Sequence, residues 1–331
     1  MQTTCVVILP KFLTMRNRFM EFRGALLGCG NLDILVDCTG INRGVVRMVA
    51  CQFNLPHRGS IKPMTVDLSD FNNVEKSILS LSRSGQLYET ELSQIFLRVL
   101  DEGDTVIDVG ANVGYFTVLA AALVGPSGRV IAFEPDAGNL SRLHTNIALN
   151  RFSHVSVVER PASDSIQEVD FYLNADDSGG SALWDPGLFP ENFASRDNPS
   201  VRRLTTTTLD HEVGELGMGS PKLVKIDTEG AELKVLEGAS SLLADRAVPF
   251  VIAELNLFGL ERMGGSQAAL RGLMEEKGYS TFLPFFNGSL PKLVPPGTLI
   301  KTPHFPNILF STPEMVGRYW PEVVVDLTHW P

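Results

Sequence analysis

Thr105-Val106-Ile107-Asp108-Val109-Gly110-Ala111-Asn112-Val113-Gly114-Tyr115-Phe116-Thr117 is the stretch from which the rest of the chain can be read. Apolar, mostly β-branched residues lead into a carboxylate, two glycines frame a turn of small residues, and Val118-Leu119-Ala120-Ala121-Ala122-Leu123 continues without a polar break. That order predicts a buried strand, a tight loop and a helix N-terminus. Gly110 and Gly114 permit unusual dihedrals and close backbone approach. The loop amides, Asn112 included, are expected to face the crevice above the strand, where Asp108 adds a negative charge. A dinucleotide turn reads G-x-G-x-x-G and leaves its helix dipole open to phosphate. Asp-x-Gly-x-x-x-Gly suits instead a ligand that carries an ammonium and a sulfonium.

Some twenty residues on, Arg129-Val130-Ile131-Ala132-Phe133-Glu134-Pro135-Asp136 forms a second apolar run that ends in an acid. From that position a carboxylate accepts hydrogen bonds from both hydroxyls of a ribose. Two acids at two strand tips point to a bound S-adenosyl nucleoside. A nicotinamide-dependent oxidoreductase is the competing reading, and the missing G-x-G-x-x-G counts against it. A non-catalytic nucleoside-binding module is a third, and the acids at every strand tip count against that.

Working outward, 331 residues suffice for one large α/β core with an appendage. A formal net charge of −10 leaves no electrostatic footprint for nucleic acid. Met1–Pro10 shows no signal-peptide pattern and no apolar run is long enough to span a bilayer, so a cytoplasmic location is expected. Cys5, Cys29, Cys38 and Cys51 include no C-x-x-C and the six histidines form no spaced pair, so no metal ligand set is assigned. Residues 1–83 form an N-terminal extension, either a cap over the acceptor site, a dimerisation element or added packing. Within it Asp33–Asp37 reads as a strand and Gly40-Ile41-Asn42 as a turn.

The main domain, 84–331, opens with a helix carrying Leu92, Ile95, Phe96, Val99 and Leu100, with Glu89 and Glu91 in its first turn. This helix is expected to cover the first strand alone. Val155–Val158 reads as a third buried strand, and just past it Ser163 and Asp164 are candidates to meet the adenine amino group, although a turn aspartate is the plainer reading of Asp164. Asp176–Ser181 reads as a flexible polar loop. The aromatic stretch through Trp184, Phe189 and Phe193 is either part of an acceptor pocket or a disordered insert. Lys222–Asp227 and Phe250–Glu254 are further strands ending in acids, and later strands fall at Tyr279–Leu283 and Asn307–Phe310. The pattern describes a doubly wound sheet whose last strand runs antiparallel.

Asp108-Val109-Gly110-Ala111-Asn112-Val113-Gly114-Tyr115, Phe133-Glu134-Pro135, Thr207-Thr208-Leu209-Asp210 and Lys225-Ile226-Asp227-Thr228-Glu229-Gly230-Ala231-Glu232 together resemble the signature blocks of FkbM-type S-adenosylmethionine-dependent methyltransferases. The resemblance covers about residues 84–313. It implies the seven-stranded class I methyltransferase fold, Rossmann-like, with strand order 3-2-1-4-5-7-6 and strand 7 antiparallel. It also implies S-adenosyl-L-methionine as cofactor and O-methylation of a sugar, glycolipid or polyketide-type small molecule. Cofactor residues by that pattern are Glu89 after Tyr88, Asp108, Gly110, Asn112, Gly114, Tyr115, Glu134 and Pro135.

An alcohol acceptor gives up its proton reluctantly, so a base or a metal is needed. Asp227, Glu229 and Glu254 are the acids placed for it. The plainer readings are a hydrogen bond from Asp227 to the methionine ammonium, a helix cap at Glu229 and a sheet-end acid at Glu254. Two carboxylates make a sparse metal site, which favours metal-free base catalysis.

Overall fold

A computed structural model describes residues 35–43, 46–69, 72–285, 287–301 and 305–321. Cys5, Cys29, His304, His329 and the Met1–Pro10 start lie outside these residues. The chain opens with an antiparallel meander of β1 (Leu35–Arg43), β2 (Val46–His57) and β3 (Ser60–Ser69). Arg58 and Gly59 turn the β2–β3 hairpin with φ of 47° and 77°, the left-handed pair that a two-residue connection requires. Gly40-Ile41-Asn42 is not a turn. It lies within β1, paired with β2 from Gly40↔Val49 to Asn42↔Arg47.

Helices α1 (Asn73–Arg83) and α2 (Thr90–Val99) lead to the main sheet. There follow β4 (Thr105–Val109), α3 (Tyr115–Val124), β5 (Arg129–Phe133), α4 (Ala137–Leu149) and β6 (Val155–Val158). A separate antiparallel ribbon joins β7 (Glu168–Leu173) to β8 (Ser200–Thr205), with the short helix α5 (Phe193–Asp197) in the segment between them. The second half runs through α6 (Leu209–Glu215), β9 (Leu223–Ile226), α7 (Glu232–Glu237), β10 (Phe250–Glu254), α8 (Leu257–Arg262) and α9 (Gln267–Glu276). It closes with β11 (Ser280–Leu283), β12 (Lys292–Val294), β13 (Asn307–Ser311) and α10 (Pro313–Tyr319).

The sheet order is β12-β11-β13-β10-β9-β4-β5-β6. Counting only the strands of this sheet and leaving out β12, this is 3-2-1-4-5-7-6 from the β6 edge, and β13 is antiparallel to both of its neighbours. The fold is that of the class I methyltransferases, with β12 added as an antiparallel strand beyond β11. Strands β4, β9 and β10 are buried along almost their whole length, the mark of parallel strands covered on both faces. β6 is the sheet edge, and only Val158 of its four residues is buried; its apolar run misleads because an edge strand has one neighbour fewer to cover it.

Every residue of α3 is buried. A helix apolar all round must be covered on all sides, and α2 does not achieve this alone. Phe53, Leu55, Met64, Val66 and Leu68 of the β2–β3 hairpin join α2 and α3 in one core cluster. The hairpin is also tied to α4: Asn150 Oδ1 accepts from the Thr65 amide and Asn146 Oδ1 from the Asp67 amide, each at 2.7 Å. A second core cluster on the opposite face packs α7 and α9 against β9, β10 and β13. No helix among the described residues is long and apolar enough to cross a membrane.

Candidate active site

The sheet order reverses between β4 and β9, and the crevice outside their carboxyl ends is where such sheets take ligands. A cavity of about 370 Å³ lies there, lined by the β4–α3 turn, the tips of β5, β9 and β10, and residues 177–184. That volume is in the range of small-molecule sites, roughly 300–1,000 Å³.

The β4–α3 turn is built differently from the sequence expectation. The amides of Gly110 and Ala111 both donate to the Phe133 carbonyl, the Asn112 amide donates to Glu134, and the Gly114 amide donates to the Ala111 carbonyl. None of these is left for a ligand. The two glycines make room for protein: a Cβ on Gly110 would lie 1.8 Å from the Asp227 carbonyl oxygen, and one on Gly114 would lie 2.6 Å from Leu143. Both also have positive φ, 80° and 91°. Asn112 lines the cavity in the left-handed region, with φ 50°.

Asp108 does not line the cavity. It is fully buried, accepts from Thr117 Oγ1 at 2.6 Å, and faces the Lys225 ammonium at 3.6 Å. The charge assigned to the crevice is thus held beneath it. Lys225 is the residue that the sequence reading missed. Asp108 and Lys225 are directly paired across β4 and β9, and Asp227 stands two places on from Lys225, so strand alternation puts all three on one face. Lys225 Nζ sits 3.1 Å from Asp227 Oδ2 and 5.1 Å from the centre of the Phe116 ring. Burial alone would depress this ammonium; the Asp227, Asp108 and Glu89 carboxylates outweigh it and raise its pKa above the ordinary value. A lone lysine inside the apolar run Leu223–Ile226 was the available signal.

Glu134 and Pro135 line the cavity as expected. Glu134 is 4% exposed, and its two oxygens accept from the amides of Asn112 at 2.7 Å and Asp136 at 2.8 Å. Burial pushes it up to about 7 in spite of these bonds. The Asn139 side chain is a third donor to this carboxylate, which keeps acceptor capacity for one further donor. Tyr115 also lines the cavity, but its hydroxyl accepts from the Tyr88 amide and its ring packs on Phe53, Tyr88 and Phe116. Glu89 is the N-cap of α2, with φ 39°, and not part of its first turn. It lines the cavity, and burial with nearby Asp227 lifts it to about 7.

Ser163 and Asp164 are not brought to this cavity, which is bordered in that region by Arg160, Pro161 and Ala162. Asp164 bonds Lys234 of α7 at 2.9 Å. Burial acts to raise it, but Lys234 and the hydroxyls of Ser165 and Ser163 hold it below the usual carboxylate range.

Asp227, Glu229 and Glu254 do converge: one carboxylate oxygen from each lies within 4.8 Å of the others, a spacing that admits a hard cation. Glu229 is not a helix cap. Glu232 takes that part, its Oε1 accepting from the amides of Thr228 and Gly230 at 3.0 Å. Glu229 itself adopts φ 57°, and the next residue, Gly230, packs so tightly on Gly259 that a Cβ would lie 2.2 Å from that backbone. The kink turns Glu229 toward β10, where Oε2 accepts from Asn256 Nδ2 at 2.7 Å. Burial, reinforced by Asp227 and Glu232, raises Glu229 to about 8. Glu254 is raised well above the carboxylate range by burial and by Glu229, and its Oε2 is shielded from solvent with no hydrogen-bond partner.

The stretch read as a flexible loop or disordered insert is knit by hydrogen bonds. Asp176 accepts from the amides of Ala194 and Ser195, Asn174 Oδ1 from those of Asp176 and Asp177, and Asn139 Nδ2 donates to the Ser178 carbonyl. It covers the cavity, and Trp184 Nε1 donates to the Glu229 carbonyl.

The methyltransferase FkbM domain model matches residues 108–281, more than half of the chain. The chain belongs to the FkbM methyltransferase family. This FkbM protein is 31% identical over 259 residues to the AMB antimetabolite synthetase AmbE of Pseudomonas aeruginosa, a match covering 66% of the chain and 12% of that protein. It is 27% identical over 169 residues to the hexuronic acid methyltransferase AglP of Haloferax volcanii, covering 51% of the chain and 62% of AglP. The chain therefore spans less than two thirds of either relative. Among solved structures, an FkbM methyltransferase from Methylobacillus flagellatus KT aligns with a TM-score of 0.39 and 14% identity, covering 72% of this chain and 53% of that one. Family membership assigns the matched domain to the methyltransferase class in place of the oxidoreductase reading.

Proposed function

We propose that this FkbM methyltransferase transfers the methyl group of S-adenosyl-L-methionine to a hydroxyl of a small-molecule acceptor of the sugar, glycolipid or polyketide type. The observation that carries this reading is the convergence of Asp227, Glu229 and Glu254 at the β9 and β10 tips, beside a nucleoside-sized cavity with Glu134 on its far wall. The residues suit the cofactor. Glu134 is oriented by two backbone amides to accept from ribose hydroxyls, and Glu89 and Asp227 offer carboxylates to a cationic amino-acid end.

When bound, S-adenosylmethionine supplies a methyl group already activated on a sulfonium. The chain must then align an acceptor oxygen and take its proton. Asp227, ion-paired to Lys225, stands at the β9 tip, while Glu229 and Glu254 titrate above the usual carboxylate range. The proton taken from the acceptor hydroxyl is held on the Asp227 carboxylate as the oxygen–methyl bond forms and the sulfur–methyl bond breaks. Metal-free base catalysis is favoured because the Lys225 ammonium, 3.1 Å from Asp227, already supplies the positive charge there and would repel a second cation.

A net charge of −10 supports an acceptor other than nucleic acid, a cytoplasmic setting is proposed, and the described residues 46–69 and 72–83 of the extension are proposed to serve as packing for the domain 84–331. The test is calorimetry with S-adenosylhomocysteine combined with turnover. Asp227→Asn should keep the fold and cut turnover about a hundredfold or more, and EDTA should leave the unsubstituted rate alone. A rate lost to EDTA and restored by Mg²⁺ would recast the three acids as metal ligands.

A further inference from the structure

Beyond the floor of acids, the cavity has a wall of a different kind. Trp184, Phe189 and Phe305 line it. Phe258 braces this wall from behind, its ring centre 5.4 Å from that of Trp184 and 5.2 Å from that of Phe189, the latter edge to face. Phe189 and Phe305 lie 6.2 Å apart. Trp184 is fixed by its bond to the Glu229 carbonyl, so the wall is in register with the acids. At the mouth Phe305 is 42% exposed and Leu188, next to Phe189, is 54% exposed. Single exposed apolar residues are ordinary, but here they continue a lined cavity outward.

Charge points the same way. Glu89, Asp177, Asp227, Glu229 and Glu254 all line the cavity, and among the described residues its only cationic side chains are Lys225 and Arg160. Both are committed, Lys225 to Asp227 and Asp108, and Arg160 to Glu212. An acceptor bearing a carboxylate or phosphate would give up its hydration there with no free cation to receive it, and a charge buried without a partner is disfavoured.

Resting on the methyl-transfer reading above, we infer that the acceptor is an uncharged hydroxyl compound carrying an aromatic or similarly flat apolar group, which stacks on Trp184, Phe189 and Phe305 while the hydroxyl faces Asp227. In this the site differs from what a uronic acid would need. The aromatic wall supplies affinity without polar partners, and the lack of a free cation supplies exclusion of anionic acceptors.

Calorimetric titrations with and without S-adenosylhomocysteine test this, using phenyl β-D-glucopyranoside, methyl β-D-glucopyranoside and methyl β-D-glucuronide. The phenyl glucoside should bind about tenfold or more tightly than the methyl glucoside, and the glucuronide should bind more weakly than both. Phe189→Ala and Phe305→Ala should each weaken phenyl glucoside binding about fivefold and leave S-adenosylhomocysteine affinity unchanged. A glucuronide that binds as tightly as the phenyl glucoside would overturn the inference. So would a phenyl glucoside that gains nothing over its methyl counterpart, or whose affinity ignores both substitutions. Failure of S-adenosylhomocysteine to bind would instead refute the cofactor reading, while the glucoside comparison, run without it, still decides the acceptor.

Discussion

The Lys225 ammonium lies 3.1 Å from the Asp227 carboxylate, and the same ammonium reaches back 3.6 Å to Asp108 beneath the cavity floor. Removing the cation leaves Asp108 buried without its counter-charge. Lys225→Met should therefore lower unfolding free energy by about 3–5 kcal/mol in urea titrations. Adding Asp108→Asn to that variant should recover part of the loss, because the stranded charge is then gone. Additive losses would show that the two side chains do not interact.

Glu134 and Asp164 offer a contrast for the nucleoside. Glu134→Ala should weaken S-adenosylhomocysteine binding by about 1.5–3 kcal/mol, tenfold to a hundredfold. Asp164→Ala, which breaks a bond to Lys234 away from the cavity, should change that affinity less than twofold. Equal losses in calorimetry would return Asp164 to the adenine site.

The acids that make the site also set the pH dependence of the ligand-free protein. Glu89, Glu134 and Glu232 are raised by burial to about 7 and Glu229 to about 8, from an ordinary value of 4.5. Between these limits the folded chain holds protons that the unfolded chain has released. The stabilising contribution is therefore complete below about pH 4.5 and is lost as pH rises through 7 to 8. Melting temperature without ligand should fall from pH 5.5 to pH 8.5, and Glu229→Gln should flatten the slope. A melting temperature that climbs over that range would contradict the retention of protons by these groups in the folded chain.

The N-terminal hairpin yields a prediction opposed to the expectation that the first helix covers the first strand alone. A chain beginning near Ser80 would strip Phe53, Leu55, Met64 and Leu68 from α3 and leave Asn146 and Asn150 without the Thr65 and Asp67 amides. It should be insoluble or molten, with little near-ultraviolet dichroism. A soluble fragment that binds S-adenosylhomocysteine normally would show that α2 covers the domain by itself.

The strand tips at Asp108, Glu134, Asp227 and Glu254 were legible because parallel strands covered on both faces read as apolar runs, and an acid at the end of such a run marks the carboxyl edge of the sheet. What those acids face was not legible. Whether Asp108 points up into a crevice or down to Lys225 depends on the register of β4 with β9, more than a hundred residues apart in the chain. The same applies to the Gly110 and Ala111 amides, which are consumed by a carbonyl on β5, and to Asp164, held by a lysine seventy residues on. The role of the hairpin did leave a trace. Val118–Leu123 has no polar face, and a helix with one partner would have shown one.

The contact between Gly230 and Gly259 joins the β9 and β10 tips into one joint, whereas the aromatic wall rides largely on a separate segment hung between β7 and β8 and anchored to that joint through Trp184. If the three acids and the aromatic wall act as proposed, chemistry and choice of acceptor are carried by different stretches of chain. Exchanging residues 174–199 offers a route to a new acceptor that leaves the three acids in place, so long as the incoming segment keeps a donor for the Glu229 carbonyl.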